Sequence, residues 1–280
     1  MVTAWRRPKA KVNNLNNAPL EPQETWTTHE LTRPFPAPFP YDIVDMIIAY
    51  LTRHRDTLEA CSLTCHSWYT AAAPHLHHTL TLTGDGPRSQ LVPLSNLHEL
   101  GLMPLVREIQ VKQRRPWFAP QAFSHLDLYY FSSLTNVHTL KLENVEIFRF
   151  ISLVDRYFQH FAPTLRSITL SDPWCTPRQL SHFLSLFSNL DDIEIRNAHL
   201  TTIPDKVLAP FSAPKLRGRL ALYNASSVET WTHLITSSGG LRFRHMDLHK
   251  VGSCAPVLLE ACAETLETLR LGARDDSLSE

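Results

Sequence analysis

Residues 137–144 read Val137-His138-Thr139-Leu140-Lys141-Leu142-Glu143-Asn144. Leu140 and Leu142 flank a single polar residue. A pair with period two is too short for a helix and marks a strand that buries one face. The same phrase recurs as Leu80-x-Leu82, Ile109-x-Val111, Ile168-x-Leu170, Ile193-x-Ile195, Leu220-x-Leu222, Met246-x-Leu248 and Leu269-x-Leu271. Second members of successive pairs lie 29, 31, 28, 25, 27, 26 and 23 residues apart. So steady an interval predicts internal repetition.

The segments between these strands carry helical patterns. Ile147, Ile151, Val154, Phe158 and Phe161 follow helical steps. Leu180, Phe183, Leu184 and Phe187 do so behind Thr176-Pro177-Arg178-Gln179, which has capping-box spacing. Val228, Trp231, Leu234 and Ile235 follow Ser226-Ser227-Val228-Glu229, and Pro256 opens a last helix continued by Leu259 and Cys262. A strand and a helix every 23–31 residues is the unit of a leucine-rich-repeat solenoid. The expected fold class is α/β, with residues 76–280 forming a curved parallel sheet of strand–helix repeats. A doubly wound sheet would need longer, fully buried strands and Gly-rich first turns. The eight glycines form neither a dinucleotide nor a P-loop signature.

Upstream the texture differs. Residues 1–33 read as a disordered polar tail, with Arg6, Arg7, Lys9 and Lys11 as a small basic cluster of a solvated or nuclear-targeting kind. Alternating prolines from Pro34 to Pro40 give a stiff lead-in. Ile43, Val44, Ile47, Ile48 and Leu51 then share one broad helix face, and Met46 and Tyr50 widen it. A helix apolar nearly all round must be covered nearly all round. It is either a core helix or one that awaits a partner. A second helix is expected from Asp56, with Glu59 at capping-box spacing, Leu58, Cys61, Cys65 and Trp68 on one face, and Pro74 as its end. Residues 34–75 are thus a small two- or three-helix unit.

Lys+Arg and Asp+Glu both number 27. Zero net charge gives no long-range attraction to nucleic acid or anionic membranes, and neither is expected as a partner. No apolar run reaches the ~18 residues of a transmembrane helix, and Met1 to Asn14 lacks the apolar core of a signal peptide. The five cysteines form no disulfide framework. A cytoplasmic or nuclear location is expected. His75, His77 and His78 cluster, but no Cys or carboxylate stands at ligand spacing, so no metal or cofactor is expected. No Gly-x-Ser-x-Gly elbow is present. Cys175, beside Trp174, reads as a buried thiol rather than a nucleophile.

Residues 39–68 resemble an F-box. Phe39-Pro40-Tyr41-Asp42-Ile43-Val44-Asp45-Met46-Ile47-Ile48-Ala49-Tyr50-Leu51 matches a Leu-Pro-x-Glu opening followed by paired aliphatics, with Phe39 for the Leu and Asp42 for the Glu. Leu58-Glu59-Ala60-Cys61-Ser62-Leu63-Thr64-Cys65-His66-Ser67-Trp68 is similar to a Cys-Ser-Leu-x-Cys-[basic]-x-Trp phrase common in fungal members, with His66 at the basic position. The resemblance implies the substrate-recognition subunit of a Skp–cullin–F-box ubiquitin ligase, which performs no bond chemistry itself. It implies adaptor-facing or helix-packing roles for Phe39, Pro40, Ile43, Val44, Ile47, Ile48 and Leu51, with Pro40, Ile43, Val44 and Ile47 dominant at ~1–3 kcal/mol each. Leu58, Cys61, Cys65 and Trp68 would hold the helices together. The alternative is a non-ligase scaffold whose F-box-like helices cap a solenoid.

Leucine-rich repeats place an Asn three residues after the last strand Leu. Here Asn144, Asn197 and Asn224 come two residues after Leu142, Ile195 and Leu222, and Asp172 takes that slot after Leu170. The solenoid is therefore expected to be irregular. Residues between and after the strand anchors should face away from the core. Lys112, Lys141, Glu143, Glu194, Arg196, Tyr223, Asp247 and His249 are the expected substrate-binding set. Their mixed sign suits a protein partner. Trp174 and Trp117 are candidate contact aromatics.

Overall fold

The computed structural model describes residues 39–83, 94–112, 130–147, 160–200, 216–224, 231–233, 236 and 241–272. The chain forms two compact units, Met1–Pro40 and Tyr41–Glu280. The tail and its basic cluster, Trp117, and the helix positions Ile151, Val154, Phe158, Val228, Leu234 and Ile235 lie outside the described residues.

All eight expected strands form. They are β1 (Thr79–Thr83), β2 (Glu108–Lys112), β3 (Thr139–Glu143), β4 (Ser167–Ser171), β6 (Asp192–Arg196), β8 (Arg217–Tyr223), β9 (Arg242–His249) and β10 (Thr268–Gly272). Together they make one parallel sheet in the order β1-β2-β3-β4-β6-β8-β9-β10. The order follows the chain without reversal, so the sheet has no switch point of the kind that holds ligands in doubly wound folds. The anchors align across it: Leu80, Ile109, Leu140, Ile168, Ile193, Leu220, Met246 and Leu269 are successive partners, as are Leu82, Val111, Leu142, Leu170, Ile195, Leu222, Leu248 and Leu271.

Both anchors of the first seven strands are buried. Each aliphatic contributes ~1.5–3 kcal/mol by leaving water. Leu269 and Leu271 of β10 stay exposed, at 39% and 68%. Phe131, Phe161, Phe183 and Phe187 complete the core behind the sheet. Helix α4 (Pro177–Ser185) and helix α5 (Cys254–Cys262) add Leu180, Phe183 and Leu184, and Cys254, Leu258 and Cys262. The capping box of α4 forms in both directions: the Gln179 amide donates to Thr176 Oγ1 at 3.2 Å and the Thr176 amide to Gln179 Oε1 at 2.9 Å.

The displaced Asn residues have a backbone explanation. Asn144, Asp172, Asn197, Asn224 and Lys250 follow the last residues of β3, β4, β6, β8 and β9, and all have positive φ, between 49° and 57°. Asn and Asp tolerate this left-handed region better than other residues with a Cβ. The amides of Asn144, Asp172, Asn197 and Asn224 each donate at 2.9 Å to the last carbonyl of the next strand, on Ser171, Arg196, Tyr223 and His249. Asn224 Nδ2 also donates to Asn197 Oδ1 at 2.7 Å. Just beyond these corners β5 (Trp174–Cys175) pairs in parallel with β7 (His199–Leu200), and Glu146 bridges to Trp174.

The residues before the sheet form three helices: α1 (Tyr41–Tyr50), α2 (Arg55–Ser62) and α3 (His66–Leu76). Three expectations are corrected here. Helix α2 ends at Ser62 and α3 starts at His66, and Cys65 is the extended, exposed N-cap of α3, so it does not share a helix face with Cys61. The N-cap of α2 is His54, which puts Asp56 inside the first turn and leaves Glu59 to pair with Arg55 at 2.9 Å instead of capping. Pro74 lies inside α3, which runs on to Leu76. In the last turn its missing amide forfeits one bond and does not break the helix.

Candidate functional sites: an apolar helix face and a charged sheet face

Val44 and Ile48 lie four residues apart on α1 and point into the helical unit. There they pack with Leu58, Ala71, Ala72 and Leu76, and partly buried Leu51, Cys61 and Trp68 close the cluster. Spacing of i and i+4 on one side and i+3 on the other divides α1 into two faces. The outer face carries Ile43, Met46 and Tyr50, which are 40%, 69% and 90% exposed. Ile47 sits between the faces, half-buried. The sequence set therefore separates. Val44 and Ile48 are core residues and cannot reach a partner with the unit folded, whereas Ile43 and Ile47 can. Met46 and Tyr50 carry more of the open surface than any member of the set. Phe39 and Pro40, in the other unit, are both exposed. The outer aliphatics were hard to sort by sequence, since a helix apolar all round shows little contrast between its sides.

On the sheet, the expected set falls into adjacent rows on one face. Lys112, Glu143, Ser171, Arg196, Tyr223, His249 and Gly272 are successive partners across the strands. Gln110, Lys141, Thr169, Glu194, Ala221, Asp247 and Arg270 form the next row. Neighbours in a row stand about 4.8 Å apart, and opposite charges pair across, diagonally between and along the strands. Lys112 Nζ lies 3.5 Å from Glu143, Lys141 Nζ lies 2.9 Å from Glu108, and Arg196 pairs with Glu194 along its own strand. The Lys112–Glu143 pair is half-exposed on both sides, and pairs of that kind are worth ~0–1 kcal/mol.

The end of the first row is a stack. The Arg196 guanidinium lies 4.9 Å from the Tyr223 ring centre, and the Tyr223 ring stacks on His249 at 4.7 Å and 16°. The His249 ring then lies over Gly272, where a Cβ would meet it at 2.3 Å. Trp174 stacks on His199 at 4.8 Å, away from these rows.

Asp247 departs from its expected place. It is buried, and its carboxylate takes two bonds from Arg219, at 2.7 and 3.0 Å, with Arg270 at 3.9 Å. Arg219 also lies 3.6 Å from Asp192. The hydrogen bond to Asp247 raises the Arg219 pKa, and burial pushes the Asp192 carboxyl up. The apolar-x-apolar phrase marks only the outward positions between and after its anchors, and Arg219 occupies a third outward position, just before the anchor Leu220. That third row is Glu108, Thr139, Ser167, Asp192, Arg219 and His245.

Cys175 is 1% exposed, and burial pushes its thiol up to about 12. It cannot supply a thiolate near neutral pH. Among the described residues no group of three His, Cys, Asp or Glu is placed to hold a metal ion, and no helix is long and apolar enough to cross a membrane.

No protein-family model matches the chain, and no curated protein matches it either.

Proposed function

We propose that the chain is the substrate-recognition subunit of a Skp–cullin–F-box ubiquitin ligase. The helical unit docks a Skp-type adaptor, and through it a cullin, while a repeat solenoid presents a protein substrate to the ligase. The observation that carries this reading is the outer face of α1. Ile43, Met46 and Tyr50 are exposed on a helix whose other side already fills the unit's own core. Apolar side chains gathered on one face and open to water suit a protein interface. The two sequence phrases of residues 39–68 and the regular pairing of strands that follows agree with it. In this reading the chain positions its substrate and catalyses no bond change, and the paired charges of Lys112, Glu143, Lys141, Glu194 and Arg196 with the Tyr223–His249 stack are the substrate-facing surface.

The test is co-purification of the full chain with a Skp-type adaptor, beside an Ile43→Asp, Met46→Asp variant. The parent is expected to bind and the variant to lose binding at unchanged helicity. A folded parent that does not bind sinks the reading and leaves the helical unit as a cap on a scaffold protein.

A further inference from the structure

β8 and β9 have seven and eight residues, against five for each other strand of the main sheet. Their extra residues overhang its N-terminal edge. There the pairing slips: Gly218 pairs with Phe243 but Arg219 pairs with His245, so Arg244 is an unpaired extra residue. A bulge of this kind re-aims a side chain and recurs beside binding sites. Gly218 has φ +82°, and a Cβ there would lie 2.0 Å from the Asp191 carbonyl oxygen. The Arg219 amide donates to that same oxygen at 2.7 Å.

The overhang frames an open cleft of about 670 Å³ lined by Asp191, Arg217, Gly218, Arg242, Arg244 and His245. Asp191 faces both Arg166 and Arg217, at 3.5 and 3.4 Å, and Glu267 faces Arg244 at 3.8 Å. Arg242 makes no ion pair among the described residues. Four guanidiniums thus meet two carboxylates, an excess of two positive charges in a chain whose net charge is zero. Guanidinium forks match phosphate oxygens in pairs, which makes Arg the residue of phosphate recognition. The cleft lies in the range of small-molecule sites, ~300–1,000 Å³, and is too large for one phosphate group.

We propose that this cleft binds a soluble small molecule bearing two or more phosphate groups. Arg242 and Arg244 are its principal contacts, and Arg217 exchanges Asp191 for a ligand oxygen. The proposal does not depend on adaptor binding, because it leaves α1 untouched.

Titration calorimetry of the full chain with sodium tripolyphosphate tests it. Saturable binding is expected, weakened tenfold or more in Arg242→Gln, Arg244→Gln and unchanged in Arg53→Gln, Arg55→Gln of the helices before the sheet. Arg242→Gln alone breaks no ion pair seen here and should still weaken binding several-fold, which covers misfolding of the double variant. No saturable heat at millimolar tripolyphosphate would overturn the proposal. Equal weakening in both double variants would overturn it too, by exposing general polyelectrolyte attraction. Citrate binding as tightly as tripolyphosphate would overturn the assignment to phosphate.

Discussion

Gly218→Ala tests the geometry that builds the cleft, and Gly252→Ala is its control. Both glycines have positive φ, +82° and +60°, but a Cβ at Gly252 would meet nothing within 4 Å. Left-handed backbone costs an L-residue roughly 1–2 kcal/mol at either position. Alanine's smaller unfolded-state entropy returns ~0.4–1 kcal/mol at both. These two contributions nearly cancel between the variants. What remains at Gly218 is a methyl group 2.0 Å from a backbone oxygen that accepts the 2.7 Å bond from Arg219. Relieving the clash moves Asp191 and loses most of that bond, worth ~0.5–1.5 kcal/mol net, beyond any residual overlap. Gly218→Ala should therefore be the less stable variant by at least about 1 kcal/mol, or ~2–4 °C in midpoint for a chain of this size. Urea and thermal unfolding followed by circular dichroism measure both. Equal losses would show that the strand does not approach Asp191 this closely, and the bulge argument would go with it.

Ile48→Ala should cost ~2–5 kcal/mol by leaving a cavity among α1, α2 and α3, while Met46→Ala stays within ~0.5 kcal/mol; denaturant melts that rank them the other way would mean the faces of α1 are reversed. Burial, helped by the nearby Arg55 charge, lowers the pKa of His77 below its ordinary 6.5. The unfolded chain then takes up the proton first, so stability is present above pH 6.5 and falls as the pH drops below it. His77→Gln should flatten that part of the stability profile, and an unchanged slope would refute the assignment. Iodoacetamide at mildly alkaline pH should label exposed Cys65 quickly and Cys175 only as the chain unfolds, a contrast that peptide mass mapping reads directly.

The strands were legible because their signal is local. Two aliphatics around one polar residue state both the period and the buried face, and Leu140-x-Leu142 needs no distant partner to be read. The αL corners were half legible: Asn144, Asp172, Asn197 and Asn224 stood out by position, but their role depends on φ and on a bond to the next strand. Asp247 and Arg219 show where local reading fails. Alternation put Asp247 on the correct face, yet its burial follows from Arg219 one strand away. Helix faces need contrast, and α1 offers little, so Val44 and Ile48 could not be told from Ile43 by pattern. The basic cleft was invisible for another reason. Arg242, Arg244 and His245 gather at one edge only because a bulge interrupts the alternation that a sequence reader assumes.

In the main sheet each strand bonds only to the strands that adjoin it in this sequence. Cooperativity of that form is short-ranged. A fault in one strand is felt by its two neighbours and fades beyond them, and opening proceeds from an edge inward. β10, whose Leu269 and Leu271 stay wet, should exchange its amide hydrogens before β9, and β9 before β8. The gradient would place the least protected part of the sheet beside the Tyr223–His249 stack, where a partner's grip would slow the fraying most.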